Sequence, residues 1–509
     1  MISKVYSIAI NWLNSELIEV EVDVSNWITA FTIVWLPDQW VQESKERIRT
    51  ALKSSSFKLP TTRITVNLAP ADIKKSWPSF DLPIAIWILL QGWLIKEDLI
   101  KDSIFLGELS LDWKLRKVSW VLPAVIWARE KWFKRIFLPK DNILEASIIP
   151  WIDIIEVNNL DDLCKSLNLS INLKISKHID CFWLNNEHDP KNDFKYILWQ
   201  NFAKRAMEIA AAWAHNIIMD WPPWSWKTML SKAFSSILPK MSIEEVIEVS
   251  KIYSVSWLLS SKNPIINKRP FRTIHHTASR VSIIWWWRNA KPWEISLAHR
   301  WVLFLDEVLE FDKSVLEVLR QPIEDWEITV TRVNGSYNYP AKFILLWAMN
   351  PCPCWYLTDE DKVCTCSKKQ IVSYRNRLSW PLIDRIDIFI DIPKVKTNDL
   401  KINNDYSSIE SSSDILLRVE KAIVIQKERF KGTNIKFNSE MWTAEINKFC
   451  QLTWDWDKIL KKAVENMNLS ARAYYRILKL SRTIADLSWD KDILVNHIME
   501  ALSFRKKED

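Results

Sequence analysis

Glycine is almost missing from this chain, with four residues in 509: Gly92, Gly107, Gly335 and Gly432. Ordinary chains carry about 7%. Glycine supplies left-handed backbone and close backbone approach, so this content, taken literally, excludes the phosphate loops and tight turns of nucleotide enzymes. A disulfide framework is excluded too. The seven cysteines are odd in number and four crowd into one stretch, which points to a reduced, cytoplasmic setting. Met1–Asn14 lacks the basic start and long apolar run of a secretory signal. The most apolar stretch, Leu82–Ile95, is too short to span a bilayer, so no membrane is expected as a partner. A net charge of +7 is compatible with a polyanion partner and is weak evidence for one.

What is present in excess is tryptophan, at 32 residues. The two residue types together make up about 7% of the chain, the ordinary glycine share. Position agrees with number. Trp285, Trp286 and Trp287 stand in a row, and Trp132 follows a helical stretch and precedes the strand-like Phe133–Leu138, where a helix-ending glycine belongs. We read the sequence as a conceptual translation in which UGA, decoded as glycine in some bacterial lineages, is printed as tryptophan. The alternative is a genuinely Trp-rich protein. Some of the 32 are compatible with true tryptophan, and the four printed glycines would use ordinary codons.

Along the chain, 48% hydrophobic and 26% charged residues suit a globular protein of several domains. Residues 1–170 mix helices with strands such as Leu17–Val24 and Arg63–Leu68, which alternate apolar and polar. Residues 171–192 are polar and read as a linker. Residues 193–400 repeat strand, loop and helix, the pattern of a parallel α/β domain. Residues 401–509 open on the Ser/Asn/Asp-rich Asn403–Ser413 and continue with helical periodicity.

The strand-like His215–Met219 runs into Trp221-Pro222-Pro223-Trp224-Ser225-Trp226-Lys227-Thr228 and a helix expected over Met229–Leu238. With glycine for tryptophan this is a full phosphate-binding loop. Its glycines let backbone N–H groups wrap the phosphates, and the helix N-terminus adds its dipole. Lys227 would reach the β- and γ-phosphates of ATP, and the Thr228 hydroxyl would bind Mg²⁺. As printed, three indoles would fill the cradle. The apolar strand Val302–Leu305 ends in Asp306-Glu307, where Asp306 would hold Mg²⁺ and Glu307 would orient and activate the attacking water. A further strand, Phe343–Ala348, ends at Met349-Asn350, and Asn350 is a candidate for positioning that water. Cys352, Cys354, Cys364 and Cys366 form two C-x-C pairs that could bind Zn²⁺, the alternative being free cysteines in a loop.

Beyond these, several segments carry a resemblance. Arg269-Pro270-Phe271-Arg272 is followed by His275-His276-Thr277, to which no role is assigned. Then come Pro292-Trp293-Glu294-Ile295-Ser296-Leu297-Ala298-His299, Asn350-Pro351-Cys352-Pro353-Cys354, and Leu382-Ile383-Asp384-Arg385-Ile386-Asp387. With Asn67-Leu68-Ala69-Pro70-Ala71-Asp72 and Gly107-Glu108-Leu109-Ser110-Leu111-Asp112, they resemble the ComM/YifB group of magnesium-chelatase-like AAA+ ATPases over nearly the whole length.

The resemblance implies an α/β fold class in three parts: a Lon-protease-like (ribosomal S5 domain 2-like) N-terminal domain, an AAA+ P-loop domain with a parallel sheet, and a C-terminal helical lid. It implies a homo-hexameric ring in which Arg385 reaches a neighbour's γ-phosphate and Arg472 senses nucleotide from the lid. In the Lon-like part the serine and lysine positions of a protease fall at Asp81 and near Leu122, and Ser79 has no obvious base, so proteolysis is not expected. A basic insertion (Lys268, Arg269, Arg272, Arg280, Arg288, Lys291) and a hairpin over Ile328–Tyr339, expected to turn at Asn334-Gly335 and carrying Arg332, are candidates for gripping DNA in the pore. The function implied is a DNA motor for branch migration or unwinding. The competing reading is a chelatase-like motor subunit, against which the Lon-like part argues.

Overall fold

The structure is a computed structural model. It describes residues 4–505 except 12–13, 26–29, 35–38, 55–62, 71–77, 92–94, 96–99, 169–172, 179–191, 198–199, 222–226, 257, 260–262, 278–293, 333–334, 358–361, 394–408, 434, 436 and 468. Its strands are β1 (Val5–Asn11), β2 (Asn14–Ser25), β3 (Phe31–Val34), β4 (Arg63–Ala69), β5 (Ser103–Phe105), β6 (Glu108–Leu109), β7 (Leu115–Arg116), β8 (Arg135–Pro139) and β9 (Asp153–Val157). They continue with β10 (Ile217–Asp220), β11 (Phe271–Ile274), β12 (Trp301–Leu305), β13 (Glu327–Arg332), β14 (Gly335–Pro340), β15 (Phe343–Met349) and β16 (Ile388–Asp391).

The chain forms two units, one of Met1–Asn185 with Ile243–Asn267, the other of Asn186–Ser242 with Lys268–Asp509. In the first, a seven-stranded mixed sheet runs β3-β4-β2-β1-β5-β8-β9. In β4, buried positions alternate with exposed or half-buried ones, as in a strand with one covered face. The helix Asp81–Gln91 is buried almost along its length and anchors the core with Ile18, Val20, Val66 and Leu68. The helix Ile243–Val255 also belongs to this unit. Its Ser254 hydroxyl donates to buried Glu145 at 2.6 Å, and the Trp120 indole N–H donates to the Val255 carbonyl at 3.1 Å.

In the second unit a five-stranded, wholly parallel sheet runs β11-β12-β15-β10-β16. Every residue of β12 and β15 is buried. Such continuous apolar runs are what a parallel sheet covered on both faces requires. The C-terminal helices share this unit's core through Val419, Ala422, Ile477, Ile484 and Ile498. The long helix Ser412–Arg429 starts at a capping box in which Ser411 and Asp414 satisfy each other's backbone N–H groups. The β13–β14 hairpin pairs Arg332 with Gly335, so Gly335 opens a strand and is not a turn residue as expected.

Tryptophan sits badly in this fold. Of the eleven described non-glycine residues with positive φ, seven are tryptophan: Trp113, Trp120, Trp132, Trp151, Trp326, Trp355 and Trp489, at φ 57–71°. Trp132 closes the helix Val121–Glu130 as a helix-ending glycine does, with its N–H on Arg129 O and the Phe133 N–H on Ala128 O. Four buried indole N–H groups, those of Trp213, Trp221, Trp301 and Trp347, find no acceptor. A buried unsatisfied donor costs about 1–3 kcal/mol, and glycine carries none.

Candidate nucleotide site

The carboxyl ends of β10, β12 and β15 lie side by side, because β15 pairs with both neighbours. In open parallel sheets ligands bind at this edge. Asp220 ends β10, and the Trp221 N–H that follows donates to the Met349 carbonyl of β15 at 2.9 Å. That register sets Asn350 beside the start of the loop. Pro222, Pro223, Trp224, Ser225 and Trp226 lie outside the described residues, as does the side chain of Thr228. Lys227 opens the helix Lys227–Phe234, and its ammonium contacts the Asp306 carboxylate at the tip of β12. The helix continues as a 3₁₀ turn over Ser235–Ile237, close to the expected extent.

Glu307 follows Asp306 with left-handed backbone, φ 52°. Its carboxylate is 3.3 Å from Nδ1 of His276, whose ring lies 4.3 Å from that of His275. Sequence reasoning had no role for His276. The signal was its spacing from β11: Ile274 pairs with Leu305, so two residues further along His276 stands level with Glu307. Asn350 is buried and hydrogen-bonded to Tyr374. The Tyr374 hydroxyl also donates to Glu310 at 3.0 Å, just past Glu307. Arg377 donates to Leu309 O at 2.7 Å and to Glu310 at 3.2 Å.

Three family models match, in chain order. Residues 20–142 match a model described as subunit ChlI of Mg-chelatase, residues 193–400 one for magnesium chelatase, subunit ChlI, and residues 409–505 one for the C-terminal part of that subunit. The competence protein ComM of Haemophilus influenzae is 39% identical over 98% of this chain and 97% of its own length. The uncharacterised protein YifB of Escherichia coli is 34% identical over 99% and 97%. An uncharacterised protein of Mycobacterium tuberculosis is 32% identical over 99% of each. The chain belongs to the ComM/YifB family. It is thereby a magnesium-chelatase-like AAA+ ATPase, and the parallel sheet with its covering helices fits that fold.

In this ComM/YifB member the two arginines singled out from sequence form a cluster apart from Lys227 and Asp306. Arg385 is buried, and its guanidinium is held by the Glu324 carboxylate and the Pro381 carbonyl. Arg472 is exposed, 3.8 Å from Glu324 and 3.9 Å from Asp384. Arg385 holds the Glu324 carboxyl below its ordinary range. Behind the cluster, Asp387 is buried yet held well below the carboxylate range by Arg476, His215 and Arg505, which outweigh the burial.

The four cysteines come together. Cys352 Sγ lies 3.4 Å from Cys354 and 3.7 Å from Cys364, Cys354 lies 3.4 Å from Cys364, and all four sulfurs are within 4.8 Å of one another. Burial pushes the Cys352 thiol up to about 12. Burial acts the same way on Cys354, but the N–H groups of Tyr356 and Thr365 and the neighbouring thiols reverse it, to about 5.

Two expected DNA contacts do other work. Arg269 donates to the carbonyls of Pro239, Lys240 and Arg300, and Arg272 forms a two-pronged ion pair with Glu294. Both guanidiniums are thus engaged by groups of the chain itself. Arg280, Arg288 and Lys291 lie outside the described residues, and so does the side chain of Arg332.

In the first unit Asp81 is fully buried, ion-paired with Arg47 at 2.9 Å, and accepts the Leu109 N–H at 3.1 Å. Burial pushes its pKa up to about 6 although Arg47 opposes the shift. Leu122 is buried in the core. The Asp81 carboxylate is taken up by Arg47 and the Leu109 N–H, and Leu122 carries no nucleophile or base. No described helix is long and apolar enough to cross a membrane.

Proposed function

We propose that this chain is an ATP-hydrolysing ring motor acting on DNA, in branch migration or unwinding during recombination of incoming DNA. The observation that carries the nucleotide part is the Lys227–Asp306 contact at neighbouring secondary-structure ends, with Glu307 beside it. An ammonium and a carboxylate facing each other at a helix start and a strand tip are complementary to a metal–phosphate pair. With glycine at positions 221, 224 and 226, the loop N–H groups and Lys227 bind the phosphates of ATP, while Thr228 and Asp306 hold Mg²⁺. The ion supplies neutralisation of phosphate charge. Glu307 orients the attacking water and takes its proton, and Asn350 holds the same water.

Arg385 serves the site of the next subunit in a homo-hexamer, which requires its release from Glu324. Arg472 reads the nucleotide state from the lid. The working parts are a Lon-like, non-proteolytic N-terminal domain (1–170), a linker (171–192), the AAA+ core (193–400) and the helical lid (401–509). Cys352, Cys354, Cys364 and Cys366 take a Zn²⁺, and the protein acts in the cytoplasm.

The DNA part is supported by the relative named a competence protein and by the hairpin bearing Arg332. A chelatase-like motor is the second reading, favoured by all three family models. Because residues 20–142 match a chelatase subunit, the N-terminal domain does not separate the two readings as expected from sequence. Measuring ATPase of the glycine-form protein with single-stranded, duplex and branched DNA does. DNA should bind, with affinity falling steeply as salt rises, and should stimulate turnover. Arg332→Ala should weaken the stimulation, flatten the salt dependence and leave basal turnover intact. DNA that neither binds at low salt nor stimulates the wild type removes the DNA reading and favours the chelatase-like one.

A further inference from the structure

We infer that the four-cysteine centre is a closed tetrathiolate Zn²⁺ clamp whose task is to hold Asn350 and Tyr374 in place against the turn after Glu307. The inference deepens the ATPase reading above and rests on it for the meaning of that turn.

Four observations meet here. The first is distance. A tetrahedral zinc with Zn–S near 2.3 Å places its sulfurs about 3.8 Å apart, and the pairs among Cys352, Cys354 and Cys364 are 3.4, 3.7 and 3.4 Å. A disulfide needs about 2.05 Å, and all four cysteines are free. An iron–sulfur cluster interposes its own atoms and drives thiolates further apart, so these spacings favour a single ion. Four soft sulfur donors suit zinc, whose structural sites use all four positions.

The second is closure. All four sulfurs lie within 4.8 Å of one another, and Cys352 is buried. That geometry leaves no open position for a substrate.

The third is what the site joins. Cys352 is two residues beyond Asn350 at the tip of β15. Cys366 immediately precedes Ser367, which caps the helix Lys368–Arg375 through a reciprocal pair with Gln370. The ion would therefore tie the end of a central strand to the start of one helix.

The fourth is where that helix reaches. Tyr374 bonds Asn350 and donates to Glu310, and Arg377 beyond the helix bonds Leu309 and Glu310. Glu310 ends the 3₁₀ turn Val308–Glu310 that begins directly after Glu307. Tightening the loop at the cysteines thus restrains both faces of the water-positioning edge. Without the ion, the same loop is held by thiol contacts and a few local ones, such as the Trp355 N–H on the Cys352 carbonyl and Lys362 over the Tyr356 ring.

The test uses the full chain in its glycine form, purified reduced and without chelator. Elemental analysis should find about one zinc and no iron per chain, as a closed four-thiolate site requires. Cys364→Ser/Cys366→Ser should lose most of the zinc. Should that variant fail to fold, wild type stripped with a mercurial and a chelator, then reduced, replaces it. Hydrogen exchange of the helix Lys368–Arg375 should speed up at least tenfold on stripping and return when zinc alone is added back. Nucleotide binding should persist in the stripped protein while turnover falls about tenfold or more. Iron in place of zinc, or no metal, overturns the assignment. Zinc whose removal leaves exchange at 368–375 unchanged overturns the clamp. Because metal content and exchange are read without ATP, protein that holds zinc but never hydrolyses ATP would sink the ATPase reading and leave the clamp standing.

Discussion

Replacing Trp132 and Trp151 by glycine should stabilise the first unit. Both indoles stand almost wholly in solvent, 89% and 91% exposed, so neither supports a core. Both residues have positive φ, 64° and 71°. Left-handed backbone costs an L-residue about 1–2 kcal/mol. The extra freedom of glycine in the unfolded chain takes back about 0.4–1 kcal/mol. The net gain is about 0.5–1 kcal/mol per site, hence about 1–2 kcal/mol for the pair when the two turns act independently. For a unit of about 200 residues, at roughly 2–4 °C per kcal/mol, the melting temperature should rise by about 2–8 °C. Scanning calorimetry of the parent, each single variant and the double variant measures this. A double variant that melts at or below the parent temperature refutes the reasoning, since relief of the backbone would then be worth nothing. Protein from the natural host gives the companion result: peptide mass spectrometry should read glycine at Trp221, Trp224 and Trp226, and tryptophan there would end the claim of ATP binding.

Four further outcomes are expected. In the glycine form, Lys227→Ala should lose nucleotide binding. Glu307→Gln should bind ATP but turn it over about 10²–10⁴-fold more slowly, the usual contribution of a positioned base, and near-normal turnover would show the assignment to be wrong. Mixing Arg385→Ala with Glu307→Gln subunits should restore part of the turnover at mixed interfaces, and no recovery in rings shown to be mixed means that Arg385 acts only through Glu324 in its own chain. Asp81 makes stability depend on pH. Its folded pKa, about 6, lies above its ordinary value of 3.8, so the stability it contributes is fully present below about 3.8 and is lost as pH rises through about 6. The loss amounts to up to about 3 kcal/mol for a shift of this size. Asp81→Asn should flatten the pH dependence of the first unit's melting between pH 4 and 7, and an unchanged slope contradicts the buried-carboxylate account.

Much of the second unit was legible locally. Val302–Leu305 and Phe343–Ala348 are apolar runs that only a covered parallel strand tolerates, and both are strands with every residue buried. Lys227 and Asp306 were identified by motif from residues 79 positions apart, and the fold brings them into contact. The left-handed positions were also written in the sequence, because chain geometry demands glycine at a helix end such as Trp132 whatever surrounds it.

Other features had no local signature. Ile243–Val255 lies between the phosphate-loop helix and β11 in sequence, yet it packs with the first unit. Its apolar residues say that it is buried and not against what. His276 meets Glu307 only because β11 and β12 pair in one register, which a single strand cannot state. The engagement of Arg269, Arg272 and Arg385 was likewise invisible, since their partners are carbonyls and carboxylates from elsewhere in the chain. The sequence by itself determined which segments are strands and helices, where a helix end such as Trp132 must turn left-handed and which residues match a phosphate-binding motif, because propensity, periodicity and motif are short-range properties of the chain. The tertiary structure alone decided which helix joins which unit, which arginines are already occupied and that four cysteines converge, because these depend on long-range pairing that brings distant residues within a few ångströms.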